Sequence, residues 1–232
     1  MGFELLEIDA ATDFPAIARS MFKSYEKPHQ KFFHAFFPIH GDTDEAREEA
    51  IAECATRLES WHTGNPTSYW QKVVDTDTGR IAGGALWNIH EENPFAHENH
   101  SEVSWFPDNG SRRFAEQFLG IHSAPRVRVG QRPQVYLFII FTHPDYRRKG
   151  VVKADEIGVE FFLDATVVGK PLYDANGFVE VQKNVIIPRT DNPDDAWKET
   201  EEKTGHSTWF LMWRPQGGNY EEGKTVKPWE EH

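Results

Sequence analysis

The chain has 232 residues, a formal net charge of −12 at pH 7 and a single cysteine, Cys54. The negative charge argues against nucleic acid as a partner, because phosphate backbones bind broad basic surfaces, and a single cysteine excludes a disulfide within the chain. No apolar run reaches the roughly 18 residues of a membrane helix, and no apolar signal region follows Met1. We therefore expect no membrane partner and a cytoplasmic location, while the oligomeric state stays open.

The first part of the chain predicts a strand, two helices and a hairpin. Apolar residues first alternate, as in a strand, and then recur at helical spacing in two successive stretches. We predict an edge strand over residues 3–8, a first helix capped by Asp13 and ended by Pro28, and a second helix over 44–61. The strands of the hairpin are predicted over residues 68–74 and 80–89. Cys54 lies on the apolar stripe of the second helix, so we expect it in the core rather than in a catalytic role.

Residues 90–100 contain three histidines and three glutamates. Both side chains are zinc ligands, but their spacing matches no metal-binding motif, so we predict a solvated acidic insertion and no metal site. Further along, residues 111–121 predict a helix, 191–203 an acidic linker and 208–213 a last strand. Residues 216–232 form a polar C-terminal tail.

The most informative stretch covers residues 134–181. An apolar strand over residues 135–141 leads into the turn His143-Pro144-Asp145-Tyr146 and then into a basic run that ends at Gly150. A short helix over residues 151–157, a strand over 159–163, a short helix near Tyr173 and a strand from Phe178 follow. This order predicts an α/β unit with a parallel strand pair at its centre.

The basic turn between strand and helix suits an anion. Unpaired N–H groups at a helix N-terminus carry partial positive charge, and Arg147, Arg148 and Lys149 add full charges. Such a turn can hold a phosphate or pyrophosphate. It can equally be a solvated basic loop on an acidic protein, and the turn alone does not decide between the two.

Two motifs in this stretch resemble those of the GNAT acyltransferase superfamily. The first is a strand that runs into V-x-P and then R/Q-x-x-G-x-G/A. The corresponding residues here are Thr142-His143-Pro144 and Arg147-Arg148-Lys149-Gly150-Val151-Val152. The second is L-Y-x-x-x-G-F, matched at every fixed position by Leu172-Tyr173-Asp174-Ala175-Asn176-Gly177-Phe178. The motifs cover about a fifth of the chain, and their order makes the combination specific.

The resemblance implies a fold and an activity. The fold would be α/β, with a GNAT-like mixed central sheet of about six or seven strands and helices on both faces, in a single domain over residues 1–215. The activity would be transfer of an acetyl group from acetyl-CoA to a primary amine whose identity the sequence does not reveal. Tyr173 would protonate the leaving thiolate. Acetyl-CoA would be held by Phe141, Thr142, Arg147, Arg148, Lys149, Gly150, Val151 and Val152.

Two departures from the family pattern support an alternative. Val152 stands where the family has a small Gly or Ala, and seven residues, 151–157, separate Gly150 from Gly158, whereas a parallel crossover usually needs about a dozen. A truncated pyrophosphate loop and helix would give a catalytically impaired or non-enzymatic GNAT-like protein.

Two further features bear on the amine. The base that would accept its proton is unassigned, with His90, Glu91 and His143 as candidates and water as an alternative. Phe32, Phe33, Phe36 and Phe37 crowd one short segment. We favour a core plug beneath a loop for this segment, while the resemblance allows an aromatic wall for the acyl acceptor.

Overall fold

The computed structural model describes residues 2–96, 103–147, 160–218 and 220–230. Its strands are β1 (Phe3–Glu7), β2 (Ser68–Asp75), β3 (Ile81–His90), β4 (Gln134–Thr142), β5 (Phe161–Thr166), β6 (Val179–Ile186) and β7 (Ser207–Arg214). They form one seven-stranded sheet in the order β1-β2-β3-β4-β5-β7-β6, flanked by helices. The predicted α/β fold with a sheet of six or seven strands is confirmed, and β1 is an edge strand as predicted.

The sheet is mixed in strand direction. The pairs β1–β2, β2–β3, β5–β7 and β6–β7 are antiparallel. Strands β4 and β5 are neighbours, as predicted, and the Val135 N–H donates to the Glu160 carbonyl at 3.0 Å. Because this bond joins the starts of both strands, the two strands run parallel. The predicted helix over residues 151–157 lies outside the described residues.

Six α-helices accompany these strands in the described part of the chain. They are α1 (Phe14–Glu26), α2 (Phe33–Phe36), α3 (Asp44–Gly64), α4 (Gly110–Val129), α5 (Lys170–Asp174) and α6 (Asp195–Thr204). Helix α3 begins at the Thr43 cap, whose side chain accepts the Ala46 N–H at 3.2 Å. Cys54 on α3 is fully buried, and burial raises the pKa of its thiol. No helix of the described ranges is long and apolar enough to cross a membrane.

The described residues fall into two compact units. The first unit comes from Met1–Phe33, Phe37–Ile89 and Leu137–Ala154, and the second from His34–Phe36, His90–Tyr136 and Asp155–His232. The single domain over residues 1–215 stays a prediction. In the polar C-terminal tail, Trp229 packs edge-on against Trp213 of β7 with ring centroids 5.4 Å apart.

Two predicted bounds in the second unit are wrong. Helix α4 was expected to end at Ile121, but it continues to Val129 because the buried stripe of Phe114 and Phe118 extends through His122, Pro125 and Val129. The sequence pattern predicts an earlier end because histidine and proline seldom continue the apolar stripe of a helix.

The expected acidic linker over residues 191–203 contains helix α6. Asp194 caps it by accepting the Trp197 N–H at 2.8 Å, and Trp197, Thr200 and Thr204 form its buried face. Asp194 also accepts a bond from Arg113 of α4 at 2.8 Å. Tertiary packing of one tryptophan therefore overrides the polar composition of this segment.

We expect Asp194→Ala to lower the thermal unfolding midpoint by about 2–4 °C, because α6 loses both its cap and its link to α4. Asp195→Ala is the matched control: it removes a neighbouring carboxylate that is fully exposed and, among the described residues, bonds Lys198 alone. Differential scanning calorimetry of both variants checks this. Equal midpoints for the two would contradict the capping role of Asp194.

Candidate functional site

The end of strand β4 carries the first group of predicted site residues. Phe141 is buried and Thr142 is partly exposed. The Phe141 ring lies so close to Gly84 of β3 that a Cβ at this glycine would come within 3.0 Å of it. The next residue, His143, donates its N–H to the Ala82 carbonyl at 2.8 Å. The residues on either side of Thr142, Phe141 and His143, therefore both contact β3.

A one-turn 3-10 helix, Pro144–Tyr146, follows β4. The side chain of Tyr146 is buried, and its hydroxyl donates to Oδ2 of Asp75 at 3.0 Å. Arg147 then donates from Nη2 to the Ser24 carbonyl at 2.7 Å and from Nη1 to the Lys27 carbonyl. Its guanidinium thus binds the C-terminal end of helix α1.

The rest of the predicted acetyl-CoA loop lies outside the described residues: Arg148, Lys149, Gly150, Val151 and Val152. Among the predicted cofactor-binding residues, the structure places Phe141, Thr142 and Arg147 together, at the end of one strand and the turn that leaves it. These assignments stay predictions.

Tyr173 lies on the short helix α5 in the second unit. Its ring is half-buried and packs edge-on against Phe178, with centroids 5.7 Å apart. Burial raises the pKa of Tyr173 to about 12. Within the described ranges its hydroxyl forms no hydrogen bond. Gly177, the fixed glycine of the same motif, has a φ of +80°, a conformation that favours glycine and turns the chain towards Phe178.

The candidate bases differ in exposure. His90 ends β3 and is half-buried, and its pKa is lowered by burial and by the nearby charge of Arg126. Glu91 is exposed. His143 is buried; its Nδ1 accepts the Asp145 N–H at 3.3 Å, while its Nε2 has no partner among the described residues. Burial also lowers the pKa of His143, so both histidines are neutral at pH 7.

A buried polar network in the second unit was missed by the sequence analysis. Oδ2 of Asp164 in β5 accepts bonds from Arg126 and from the Tyr136 hydroxyl, both at 2.8 Å, and the Arg126 guanidinium lies 3.6 Å from the Tyr136 ring centroid. Nε2 of His122 lies 3.9 Å from the same oxygen. An aspartate in the apolar strand FFLDAT signals that partners must exist, but Arg126 is 38 positions away and cannot be found by local spacing.

The aromatic segment divides between core and surface. Phe37 is buried, whereas Phe32 and Phe33 are half-buried. In the first unit Phe33 stacks on Tyr25 at 4.6 Å, and Phe32 meets Tyr25 edge-on at 5.6 Å. The Tyr25 hydroxyl donates to the Ile140 carbonyl of β4 at 2.9 Å. We call Tyr25, Phe32 and Phe33 the aromatic surface; it adjoins the strand that carries Phe141 and Thr142.

Metal-binding geometry is absent from the described ranges, where no three His, Cys, Asp or Glu side chains converge. Residues 97–100 of the histidine-rich segment lie outside these ranges.

The sequence matches no protein-family model and no curated protein. Solved structures are similar in fold. A histone acetyltransferase HPA2 and related acetyltransferase from Corynebacterium glutamicum has a TM-score of 0.54 at 18% identity, covering 93% of this chain and 97% of its own. The C-terminal condensation domain of Ebony, in complex with beta-alanyl-dopamine, has a TM-score of 0.57 at 13% identity, covering 93% of this chain and 99% of its own. The Drosophila melanogaster polyamine N-acetyltransferase has a TM-score of 0.53 at 8% identity, covering 92% of this chain and 100% of its own. Together with the two sequence motifs, these likenesses show that the chain has the fold of the GNAT acetyltransferases.

Proposed function

We propose that the protein transfers an acetyl group from acetyl-CoA to a primary amine. The observation that carries the proposal is Tyr173, a half-buried tyrosine in a GNAT motif whose hydroxyl bonds no described residue and stays protonated at neutral pH. Fold similarity to an acetyltransferase and a polyamine N-acetyltransferase supports acyl transfer to nitrogen as the reaction class.

In the proposed reaction the amine nitrogen attacks the thioester carbonyl carbon, and the carbon–sulfur bond breaks. The electron pair leaves on sulfur, and the Tyr173 hydroxyl gives its proton to the thiolate. A pKa of about 12 means that Tyr173 carries this proton at neutral pH. The proton released by the amine passes to a base or to water; neutral His90 and His143 are both chemically able to accept it.

The donor is proposed to lie along the end of β4. There Phe141 and Thr142 would present a backbone N–H to the thioester carbonyl, which stabilises the negative charge that develops on its oxygen. The packing of Phe141 against Gly84 suits this role, because a fixed strand end needs no rearrangement when that charge appears. The basic segment from Arg147 to Val152 would take the pyrophosphate.

The acceptor is proposed to be an amine with an apolar or aromatic body that packs on the aromatic surface. Rings that are already stacked lose little freedom on binding, and Tyr25 of this surface bonds the β4 backbone. Apolar surroundings disfavour the charged ammonium form, so binding there would itself help to supply the neutral amine that attack requires. The Ebony domain with similar fold was solved with beta-alanyl-dopamine, which contains an aromatic ring.

Titration calorimetry with acetyl-CoA, followed by an assay of thiol release with added amines, tests the donor. We expect measurable binding and amine-dependent thiol release. Binding without release would support the impaired alternative that Val152 and the short segment before Gly158 suggest. No binding at about 1 mM ligand, which corresponds to less than about 4 kcal/mol, would contradict the proposed function.

We expect Tyr173→Phe to lower kcat about 100-fold at saturating donor, because the leaving thiolate loses its proton source. The dissociation constant of acetyl-CoA should stay unchanged, and Tyr220→Phe, which removes a hydroxyl from the C-terminal tail, should behave as wild type. Since the pKa of Tyr173 is about 12, the wild-type rate should not fall through ionisation of this residue between about pH 7 and pH 10. An unchanged kcat in the variant, with chemistry rate-limiting, would remove Tyr173 from the mechanism.

We expect Phe33→Leu to raise KM for an arylalkyl amine about tenfold and to leave KM for a short aliphatic amine nearly unchanged, because a lost ring contact affects only acceptors with a ring. Phe36→Leu is the matched control: it lies on the same short helix but contacts His122 in the second unit. Equal effects of the two substitutions on both amines would show that the aromatic surface is core and not an acceptor site.

A further inference from the structure

The C-terminal tail contacts the L-Y-x-x-x-G-F motif through a tight turn that follows β7. The Gly218 N–H donates to the Pro215 carbonyl at 2.9 Å. Gly217 and Gly218 both have a φ of +75°, a conformation that favours glycine. The turn brings the Gly218 carbonyl oxygen so close to Gly177 that a Cβ at Gly177 would lie 3.0 Å from it. The tail backbone therefore rests directly against the fixed glycine of the motif.

The side chain of Arg214, the last residue of β7, lies against both of these glycines. A Cβ at Gly218 would come 2.4 Å from its Nη2 and 2.8 Å from its Cζ, and a Cβ at Gly177 would lie 3.4 Å from its Nε. Distances below 3.0 Å require one of the two groups to move. The guanidinium is therefore packed where a side chain on Gly218 would displace it.

The far end of the tail is held on the same strand. Trp213, next to Arg214 in β7, is 1% exposed, and its Nε1 donates to Oε2 of Glu160 at 2.6 Å. Its ring meets Trp229 edge-on, with centroids 5.4 Å apart, and Tyr220 at 6.3 Å. The contact with Tyr220 is made by the ring, which Tyr220→Phe keeps. The tail is thus fixed to β7 well beyond Gly218.

Short contacts connect Gly177 to Tyr173. The carbonyl of Tyr173 accepts the Asn176 N–H at 2.9 Å and the Phe178 N–H at 3.1 Å. The Phe178 ring packs against the Tyr173 ring, with centroids 5.7 Å apart. Because Gly177 lies between these two donors in the chain, a shift of Gly177 moves the ring on which Tyr173 rests.

We infer that Gly218 and Arg214 are positioning residues for Tyr173, because they hold the turn at Gly177 and Phe178 against which the Tyr173 ring packs. The inference rests on the proposed function, in which the Tyr173 hydroxyl protonates the leaving thiolate. Proton transfer requires hydrogen-bond distance between donor and acceptor, and small misplacements of a reacting group are costly. A displaced turn should therefore lower kcat without changing the affinity for acetyl-CoA.

The first test compares two neighbouring glycines by thiol release from acetyl-CoA with 2-phenylethylamine as acceptor. Gly218→Ala places a methyl group on the Arg214 guanidinium and should lower kcat about tenfold at an unchanged dissociation constant of acetyl-CoA. Gly217→Ala is the matched control: it has the same φ of +75° and hence the same backbone strain, but its Cβ would meet no described atom within 4 Å. It should keep the wild-type kcat. Equal kcat values in the two variants would overturn the inference.

A double-mutant cycle separates the positioning of Tyr173 from general damage to the structure. In the Tyr173→Phe background there is no hydroxyl to misplace, so Gly218→Ala should lower kcat no further there. A loss of kcat by the same factor in both backgrounds would show that the effect does not pass through Tyr173, and would overturn the inference.

Arg214→Lys is a second variant that introduces no clash. It keeps the positive charge but removes the planar guanidinium from its place against both glycines. It should lower kcat about three- to tenfold when Tyr173 is present and not in the Tyr173→Phe background. A wild-type kcat in Arg214→Lys would exclude a positioning role for Arg214. If Gly218→Ala has a lowered unfolding midpoint, the same comparison is made at a temperature where all variants remain folded.

The remaining outcomes distinguish this inference from the proposed function. If the wild type shows no amine-dependent thiol release, the proposed function is wrong and this inference with it. If the wild type is active but Tyr173→Phe keeps its full kcat, the catalytic role of Tyr173 is wrong and the inference has no residue to act on. If Tyr173→Phe lowers kcat while Gly218→Ala does not, the inference alone is wrong.

Discussion

Two buried carboxylates, Asp75 and Asp164, each hold together side chains of one of the two units of this protein. A carboxylate removed from water must collect hydrogen-bond donors, because an unpaired buried charge is strongly unfavourable. In the first unit Asp75 accepts hydrogen bonds from Tyr146, from Thr78 and from a backbone N–H. These bonds, most of all the one from Thr78, lower the pKa of Asp75. In the second unit Asp164 accepts hydrogen bonds from Arg126 and Tyr136. Tyr146 is 71 positions from Asp75, and Arg126 and Tyr136 are 38 and 28 positions from Asp164. In each case at least one donor therefore comes from a distant element, so the requirement of one side chain fixes a tertiary arrangement.

The same requirement separates structural tyrosines from the proposed catalytic one. The hydroxyls of Tyr136 and Tyr146 are bonded to these carboxylates, and burial raises the pKa of Tyr136 well above its ordinary value. The hydroxyl of Tyr173 bonds no described residue. A hydroxyl already bonded to a carboxylate is a poor proton donor to a thiolate, whereas a protonated hydroxyl without such a partner is available for donation. Composition alone does not distinguish these three tyrosines; their neighbours do.

Helix α6 and the end of α4 are two features that local sequence patterns did not predict. The acidic run that contains α6 has few apolar residues, and its helix is stabilised by the burial of Trp197 and by the cap at Asp194. The stripe of α4 continues through His122 and Pro125, which pack among nonlocal neighbours, such as Trp209 against the His122 ring at 4.7 Å. The cap at Asp194 is local, but the ring contacts of Trp197 with Phe114 and of His122 with Trp209 join distant parts of the sequence, and no window of ten or fifteen residues contains them.

The sequence by itself determined the α/β order, the neighbouring strands β4 and β5, and the two motifs that point to Tyr173 and to the basic turn. These features depend on short-range periodicity and on fixed spacing, both of which can be recognised within a short stretch of consecutive residues. Only the tertiary structure decided that Arg147 binds the end of α1, that Tyr146 is tied to Asp75, and that Asp164 has Arg126 and Tyr136 as partners. Those pairs are separated by 28 to 123 positions, and a charged or polar side chain does not reveal, before folding, which distant group will satisfy it.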